Sequence, residues 1–444
     1  MKILTRIGFI LCLLLIFNYS TNVLAQNSDQ ELAEDAHTVT CTEHLHEIGK
    51  ALKAYHKDHG KYPKWISDLH PKYLKDSAHL FCPADKENGN PKLRGNPRYV
   101  PNPEVDGKIP GSYDYQLHPS LRMEAYINAD REFYGDVVPI IRCWHHQGNK
   151  FNNLNLDFSG RVYQSDMWWN RDLERAYGSI EKAITGLEAG FKKSPDNQRY
   201  FYVYPRLLNL YLKADKEKDS DILIDRFRNV MSPTNIRHSY YLGDMLEARG
   251  RVDEMFSVFD ELLQHHKGNR SIYNHLARTH ERLGNKELAA EYKEKAVPVS
   301  VTEGETVPDF VGKDLEGKPV SIADYRGKVL LVDFWAVWCG PCVAEMPNVK
   351  RVYNTYKDQG FEILGISLDN DEKTLRDYLK KHEIPWQQVF DGQGWDSTVP
   401  SIYGIRGIPT MWVIGKDGTL LTTKARGERL EKAIVKALED QPIE

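Results

Sequence analysis

The sequence has few of the features that suit a chain to bind polyanions. Its 59 Lys and Arg residues are outnumbered by 63 Asp and Glu residues, so the net charge of -4 provides no basic field for phosphate groups. Glycine (31) and proline (22) are too scarce among 444 residues for a fibrous or low-complexity chain. These shortages exclude nucleic acid as a partner and indicate a globular protein with room for about three domains.

Long apolar runs are also lacking, since the longest spans only residues 7–17. Such a run is too short to cross a bilayer. It follows Lys2 and Arg6, and small residues at Val23 and Ala25 end the segment. This arrangement is typical of a secretory signal peptide, so we expect cleavage after Ala25 and a periplasmic or otherwise exported protein.

Two alternative N-terminal signals fit the residues less well. A lipid anchor at Cys12 would need a small residue before it, where Leu11 stands. A prepilin cut after Gly8 would need an acidic residue where Leu13 stands. The cleavable signal peptide is therefore the preferred interpretation.

The cysteines that follow the signal fall into two groups. Cys339 and Cys342 are separated by two residues and belong together, whereas Cys41, Cys82 and Cys143 lie in the N-terminal third. Export permits disulfides. Because the N-terminal third has three cysteines, one disulfide there would leave one thiol unpaired or in an intermolecular bridge. All three possible pairings stay open. Cys82 beside a proline turn and Cys143 at a strand end resemble a loop-closing pair, which predicts that Cys41 stays a thiol.

The composition changes along the chain and predicts four segments. After the signal (1–25), residues 26–169 are rich in aromatic and turn-forming residues. Residues 170–300 are helix formers with a period of about 3.6. Residues 301–444 alternate β-branched runs with helical segments, the pattern of an α/β domain.

The helical segment contains an internal repeat. Three pairs of positions match at a spacing of 34 residues: Leu242 and Leu276, Gly250 and Gly284, and Phe256 and Ala290. This central all-α region resembles tetratricopeptide repeats, in which the two glycines would lie at the turn between paired helices. Two functions stay open, a spacer that merely stacks and a groove that binds protein partners.

Residues 329–342 carry the clearest chemistry, because a continuous apolar run leads into Cys-Gly-Pro-Cys. The run predicts a buried strand that ends at the cysteines. Cys339 and Cys342 share one face of a helical turn and can form a disulfide. A helix that begins at Cys339 favours its thiolate, so Cys339 is the predicted nucleophile and Cys342 the resolving thiol.

Three segments then carry a resemblance to thioredoxin: residues 334–336, 338–342 and 407–410. Four more resemble the exported TlpA and ResA type of thiol-disulfide oxidoreductase: residues 307–310, 317–318, 345–347 and 371–391. The resemblance covers about 305–440 and implies a thioredoxin fold.

The same resemblance assigns expected roles to further residues. Asp333 and Glu345 would handle protons, and Trp338, Ile408 and a cis Pro409 would contact substrate. The implied partners are protein disulfides and an upstream thiol electron donor, and no organic cofactor is implied.

Other cysteine chemistries suit these residues poorly. A zinc site needs two further ligands nearby, and none is adjacent in the sequence. A peroxiredoxin would need proline and a hydroxyl residue at the positions of Val332 and Ala336.

The N-terminal segment suggests a binding or spacing domain. Residues 41–63 predict a helix with Leu45, Ile48, Leu52 and Tyr55 on one face. Together with four later segments it resembles the α+β globular head of type II secretion pseudopilin-like proteins: residues 81–83, 112–115, 145–146 and 156–160. Six histidines show no convergent spacing, so no metal site is expected there: His44, His46, His56, His59, His145 and His146.

The preferred function is an exported thiol-disulfide oxidoreductase that reduces protein disulfides. Gly-Pro between the cysteines, Ile408 and Asp333 resemble the reducing members of the superfamily. The alternative is a binding or scaffold protein, in which the head and the repeats recruit partners and the C-terminal domain docks them.

Overall fold

The computed structural model describes residues 36–85, 113–117, 123–144, 153–166 and 168–439. The predicted signal peptide, Cys12, His145 and His146 lie outside these residues. The chain divides into two compact units, Met1–Ser220 and Asp221–Glu444. Within the described part, no helix is long and apolar enough to cross a membrane.

The first unit contains a four-stranded antiparallel sheet in the order β1-β2-β3-β4. Its strands are β1 (Asp114–Tyr115), β2 (Pro139–Cys143), β3 (Asn153–Asp157) and β4 (Val162–Ser165).

Helix α1 (Ala36–His59) packs its apolar face against this sheet. Leu45, Ile48 and Leu52 are buried, which confirms the predicted helical face. Gly49 allows a close approach, because a Cβ there would lie 3.1 Å from Leu156 Cδ1. The pseudopilin-like interpretation of this unit stays a prediction.

Further helices lie in the described residues of the first unit and the central region. They are α2 (Glu124–Tyr134), α3 (Leu173–Tyr177), α4 (Ile180–Lys193), α5 (Tyr204–Lys213) and α6 (Glu217–Val230). Two of these helices, α3 and α4, start at side-chain caps, as Asp172 and Ser179 each accept a backbone N–H three residues on.

The second unit begins with two helix pairs that follow the predicted repeat. They are α7 (Ile236–Ala248) with α8 (Val252–His265), and α9 (Arg270–Arg282) with α10 (Lys286–Lys295). Corresponding helices begin 34 residues apart. Gly250 and Gly284 lie between paired helices with φ of 71° and 83°, which favours glycine. A central helical region is thus confirmed, and its identification as tetratricopeptide repeats stays a prediction.

The rest of the second unit is an α/β domain around a five-stranded sheet in the order β11-β10-β7-β8-β9. Its strands are β7 (Val329–Trp335), β8 (Phe361–Ser367), β9 (Gln387–Val389), β10 (Thr410–Ile414) and β11 (Leu420–Thr422). A hairpin of β5 (Val311–Lys313) and β6 (Pro319–Ser321) precedes the sheet. The helices are α11 (Gly340–Tyr356), α12 (Glu372–Lys381), α13 (Thr398–Ile402) and α14 (Glu428–Glu439).

Strand β7 occupies the centre of this sheet, parallel to β8 and antiparallel to β10. All seven of its residues are buried, because both faces of the sheet are covered. This confirms the predicted buried strand, whose end delivers the chain to the cysteine pair.

Candidate active site

Cys339 and Cys342 are joined by a disulfide at the start of α11, with their Cα atoms 5.2 Å apart. Cys339 is the N-cap residue of α11, and its Sγ accepts the backbone N–H of Cys342 at 3.2 Å. Pro341 lies in the first helical turn, where a missing N–H costs no intrahelical bond. The predicted placement of the sulfur at a helix N-terminus is therefore confirmed.

The loop before β10 faces this sulfur. The Ile408–Pro409 peptide bond is cis, as the resemblance implied. The carbonyl oxygen of Ile408 lies 3.8 Å from Cys339 Sγ. Thr410, the next residue, pairs with Phe334 of β7, so the sheet register holds the loop beside the cysteines.

Asp333 lies inside the domain on β7 and is almost fully buried. Burial, followed by the charge of Glu345, raises the pKa of its carboxyl to about 7. Its Oδ1 has no hydrogen-bond partner among the described residues. Since an unpaired ionised carboxylate is costly in such a place, this group can hold a proton near neutral pH.

Glu345 lies one helical turn after Cys342 and is held by specific bonds. Its Oε1 accepts the side-chain amide of Asn348 at 2.8 Å and the backbone N–H of Gly427 at 2.9 Å. Its Oε2 lies 3.6 Å from Nε of Arg426. The structure thus places Glu345 one turn after Cys342 and within electrostatic reach of Asp333, and a contact between Asp333 and the cysteine pair stays a prediction.

Trp338 stands immediately before the nucleophile position and leaves half of its surface (51%) exposed. Its Nε1 donates to the carbonyl oxygen of Leu368 at 3.2 Å. Trp395, which was not predicted from the sequence, is 48% exposed, and its ring centroid lies 6.1 Å from that of Trp338. The only sequence signal was a lone tryptophan in the segment between β9 and β10.

The turn that leads to Cys339 is held by a second residue that sequence reasoning missed. Both carboxylate oxygens of Asp369 accept the backbone N–H of Val337 at 3.1 Å, and one also accepts the hydroxyl of Ser367 at 2.9 Å. Burial raises the pKa of this carboxyl. A polar residue directly after a buried strand was the available signal.

Trp335 is fixed from the opposite side of the same strand end. Its buried Nε1 donates to Oε1 of Gln388 at 2.9 Å. Gly365 of β8 makes room for that amide, because a Cβ there would collide with Gln388 Oε1. The strand end before the cysteines is therefore rigidly held.

A separate cysteine cluster lies in the first unit. The sulfur atoms of Cys41, Cys82 and Cys143 all lie within 4.8 Å of one another and are buried. Burial raises the pKa of the Cys143 thiol well above its usual value. Three thiol groups at this spacing could also ligate a soft metal ion. The structure brings Cys41 to the same cluster as the predicted pair and joins none of the three by a disulfide, so the predicted Cys82–Cys143 bond is absent from it.

The C-terminal part of the chain is similar to a known family and to known relatives. The profile of the AhpC/TSA family matches residues 304–422. Thiol-disulfide oxidoreductase ResA of Bacillus thuringiensis subsp. konkukian is 31% identical over 131 residues, which cover 30% of this chain and 73% of the relative. ResA of Geobacillus thermodenitrificans is 36% identical over 119 residues, which cover 27% of this chain and 67% of the relative.

Two solved structures are also similar to this chain. The thioredoxin domain of a thiol-disulfide oxidoreductase from Bacteroides vulgatus shares 33% identity and a TM-score of 0.29, with 31% of this chain and 98% of that chain covered. A thiol-disulfide oxidoreductase from Bacteroides fragilis shares 31% identity and a TM-score of 0.28, with 30% and 98% covered.

Proposed function

Because the chain belongs to the ResA family of thiol-disulfide oxidoreductases through its C-terminal domain, we propose that it is an exported reductase of protein disulfides. The observation that carries the proposal is the Cys339–Cys342 pair at the N-terminus of α11, opposite the Ile408 carbonyl. The sequence of residues 1–25 supports export. N-terminal sequencing of the mature chain should find Gln26 first, and an unprocessed Met1 would contradict export by this signal.

In the proposed reaction the reduced protein starts as a dithiol. The Cys339 thiolate attacks one sulfur of the substrate disulfide, which forms a mixed disulfide and releases the other substrate sulfur as a thiol after protonation. The Cys342 thiolate then attacks the Cys339 sulfur, which releases the second substrate thiol and closes the Cys339–Cys342 disulfide. An upstream dithiol donor supplies two electrons and two protons to restore the starting state.

The surroundings of the pair suit these steps. The N–H of Cys342 points at Cys339 Sγ and, with the helix dipole, favours the attacking thiolate. Asp333, with its pKa near 7, can accept the proton that Cys342 gives up during the second attack. Burial is the main cause of this raised pKa, the charge of Glu345 adds to it, and Glu345 would assist proton movement.

The substrate is proposed to bind as an extended segment along the Ile408–Pro409 loop, with Trp338 beside the reacting sulfur. Backbone pairing of this kind recognises flexible chains with little dependence on sequence. Unfolded or flexible disulfide proteins are thus the expected substrate class.

Turnover of insulin disulfides with dithiothreitol as the electron donor tests the proposal. We expect the full chain to catalyse the reduction and Cys339→Ser to abolish it. If the wild-type protein keeps its Cys339–Cys342 disulfide and reacts with neither insulin nor dithiothreitol, the reductase function is refuted. That result would favour the scaffold alternative.

A further inference from the structure

Trp338 and Trp395 are the two exposed tryptophans among the described residues of the second unit. Their ring centroids lie 6.1 Å apart with the ring planes inclined by 52°, and Trp338 directly precedes Cys339 of the disulfide. Exposed apolar patches commonly mark interaction sites. The pair therefore extends the region around the cysteines by a large aromatic surface.

Trp395 lies in a 3₁₀ turn (Gly394–Asp396) within residues 390–409, which connect β9 to β10. The helical region holds this turn directly. The side-chain amide of Asn269 donates to the carbonyl oxygen of Asp396 at 2.7 Å, and the backbone N–H of Ile236 donates to Oε1 of Gln393 at 3.0 Å. The residues on both sides of Trp395 are thus bound to the repeat helices.

Further bonds fix the chain after the turn. The backbone N–H of Arg270 donates to the hydroxyl of Ser401 at 2.9 Å, and its Nη1 donates to the Ser401 carbonyl oxygen at 3.2 Å. His266 Nδ1 and the Thr398 hydroxyl lie 3.0 Å apart.

The bonds share a physical cause. Ile236 and Arg270 are the first residues of α7 and α9, where backbone N–H groups have no acceptor within the helix. Gln393 and Ser401 supply the missing acceptors. The ends of two successive repeat helices therefore fix the position of one catalytic-domain segment.

We propose that the repeat helices position Trp395 so that it forms, with Trp338, a docking surface for apolar side chains next to the disulfide of a protein substrate. This inference rests on the proposed function and names its substrate class, a flexible protein disulfide with apolar or aromatic neighbours. Trp338 directly precedes Cys339, and exposed indole rings suit apolar and aromatic groups. The repeats then act in substrate selection and are more than a spacer.

The test compares insulin with 2-hydroxyethyl disulfide, which has no neighbouring side chains to dock. The ratio of kcat/KM for insulin to kcat/KM for the small disulfide should fall about tenfold in Trp395→Ala, mainly through KM. Trp168→Ala, at an exposed tryptophan of the first unit, is the matched control and should keep the wild-type ratio.

A second variant tests the helical region itself. Asn269→Asp keeps the oxygen that caps α9 but replaces the amide donor facing the Asp396 carbonyl. We expect the ratio to fall about threefold. Asn235→Asp makes the same change at the cap of α7, where the side chain bonds the N–H of His238, and should leave the ratio at the wild-type value.

The outcomes separate the two proposals. No wild-type turnover of either disulfide would refute the reductase function itself. Wild-type turnover with an unchanged ratio in Trp395→Ala would overturn only the docking surface. Equal effects of Asn269→Asp and Asn235→Asp would show general helix destabilisation and overturn the positioning role.

Discussion

The backbone N–H of Cys342 donates to Sγ of Cys339 across 3.2 Å, so the resolving residue supports the charge on the attacking one. The two cysteines are therefore not equivalent, although both are largely buried in the disulfide. This difference gives a direct test of their proposed roles.

We predict that Cys342→Ser accumulates a mixed disulfide with a protein substrate, because Cys339 can still attack but nothing resolves the intermediate. Non-reducing gel electrophoresis followed by mass spectrometry would detect the adduct on Cys339. Cys339→Ser is the matched control and should trap nothing. Equal trapping by both variants would contradict the assigned order of attack.

We predict that Asp333 lowers stability as pH rises. Burial and the Glu345 charge raise its folded pKa to about 7, whereas the unfolded value stays near the model-peptide value of about 3.9. The folded state therefore holds a proton that the unfolded state has lost, and stability falls between these two values and is level above them.

Asp333→Asn should consequently be more stable than the wild type at about pH 8, by on the order of 4 kcal/mol, and similar to it at about pH 4. Urea unfolding of the oxidised proteins would measure the difference. Asp358→Asn, at an exposed position, serves as the control. A stability difference that does not change with pH would show that the raised pKa is incorrect.

Proton transfer by the same carboxyl predicts a kinetic effect. Glu345→Gln removes the second cause of the raised pKa, so the Asp333 pKa should decrease. The acidic limb of the pH profile of kcat should move to lower pH, whereas Asp333→Asn should lose that limb and show a reduced kcat. Identical pH profiles in all three proteins would exclude a role for Asp333 in proton transfer.

The direction of exchange predicts a reducing potential. We expect a value closer to that of thioredoxin, about -270 mV, than to that of the oxidant DsbA, about -120 mV. Titration against glutathione buffers, followed by alkylation of Cys339 and Cys342, would measure it. A value near that of the oxidant would overturn the reductase assignment.

The three clustered cysteines of the first unit are not joined by disulfides in the structure, and we predict that oxidation after export joins Cys82 to Cys143 and leaves Cys41 a thiol. Because all three sulfur atoms lie close together, distance does not select one of the three pairings. The reactivity of the thiols decides which bond forms. Peptide mapping without reduction would decide, with Cys41→Ser expected to keep the bond. A link from Cys41 to either partner would contradict the prediction.

Features that depend on neighbouring residues could be predicted from the sequence alone. The apolar run of β7, the i, i+3 spacing of the cysteines and the 34-residue repeat all follow from local periodicity, and each was found as predicted. The cis-proline loop followed from resemblance of a short motif.

Contacts between residues far apart in the chain became known from the folded structure. Trp395 reaches Trp338 because repeat helices hold its segment, and Asp369 holds the turn before Cys339 because β8 pairs beside β7. The pKa of Asp333 likewise depends on burial by the whole domain. Such contacts arise from the packing of elements far apart in the chain. The spacing of residues along the sequence does not predict that packing.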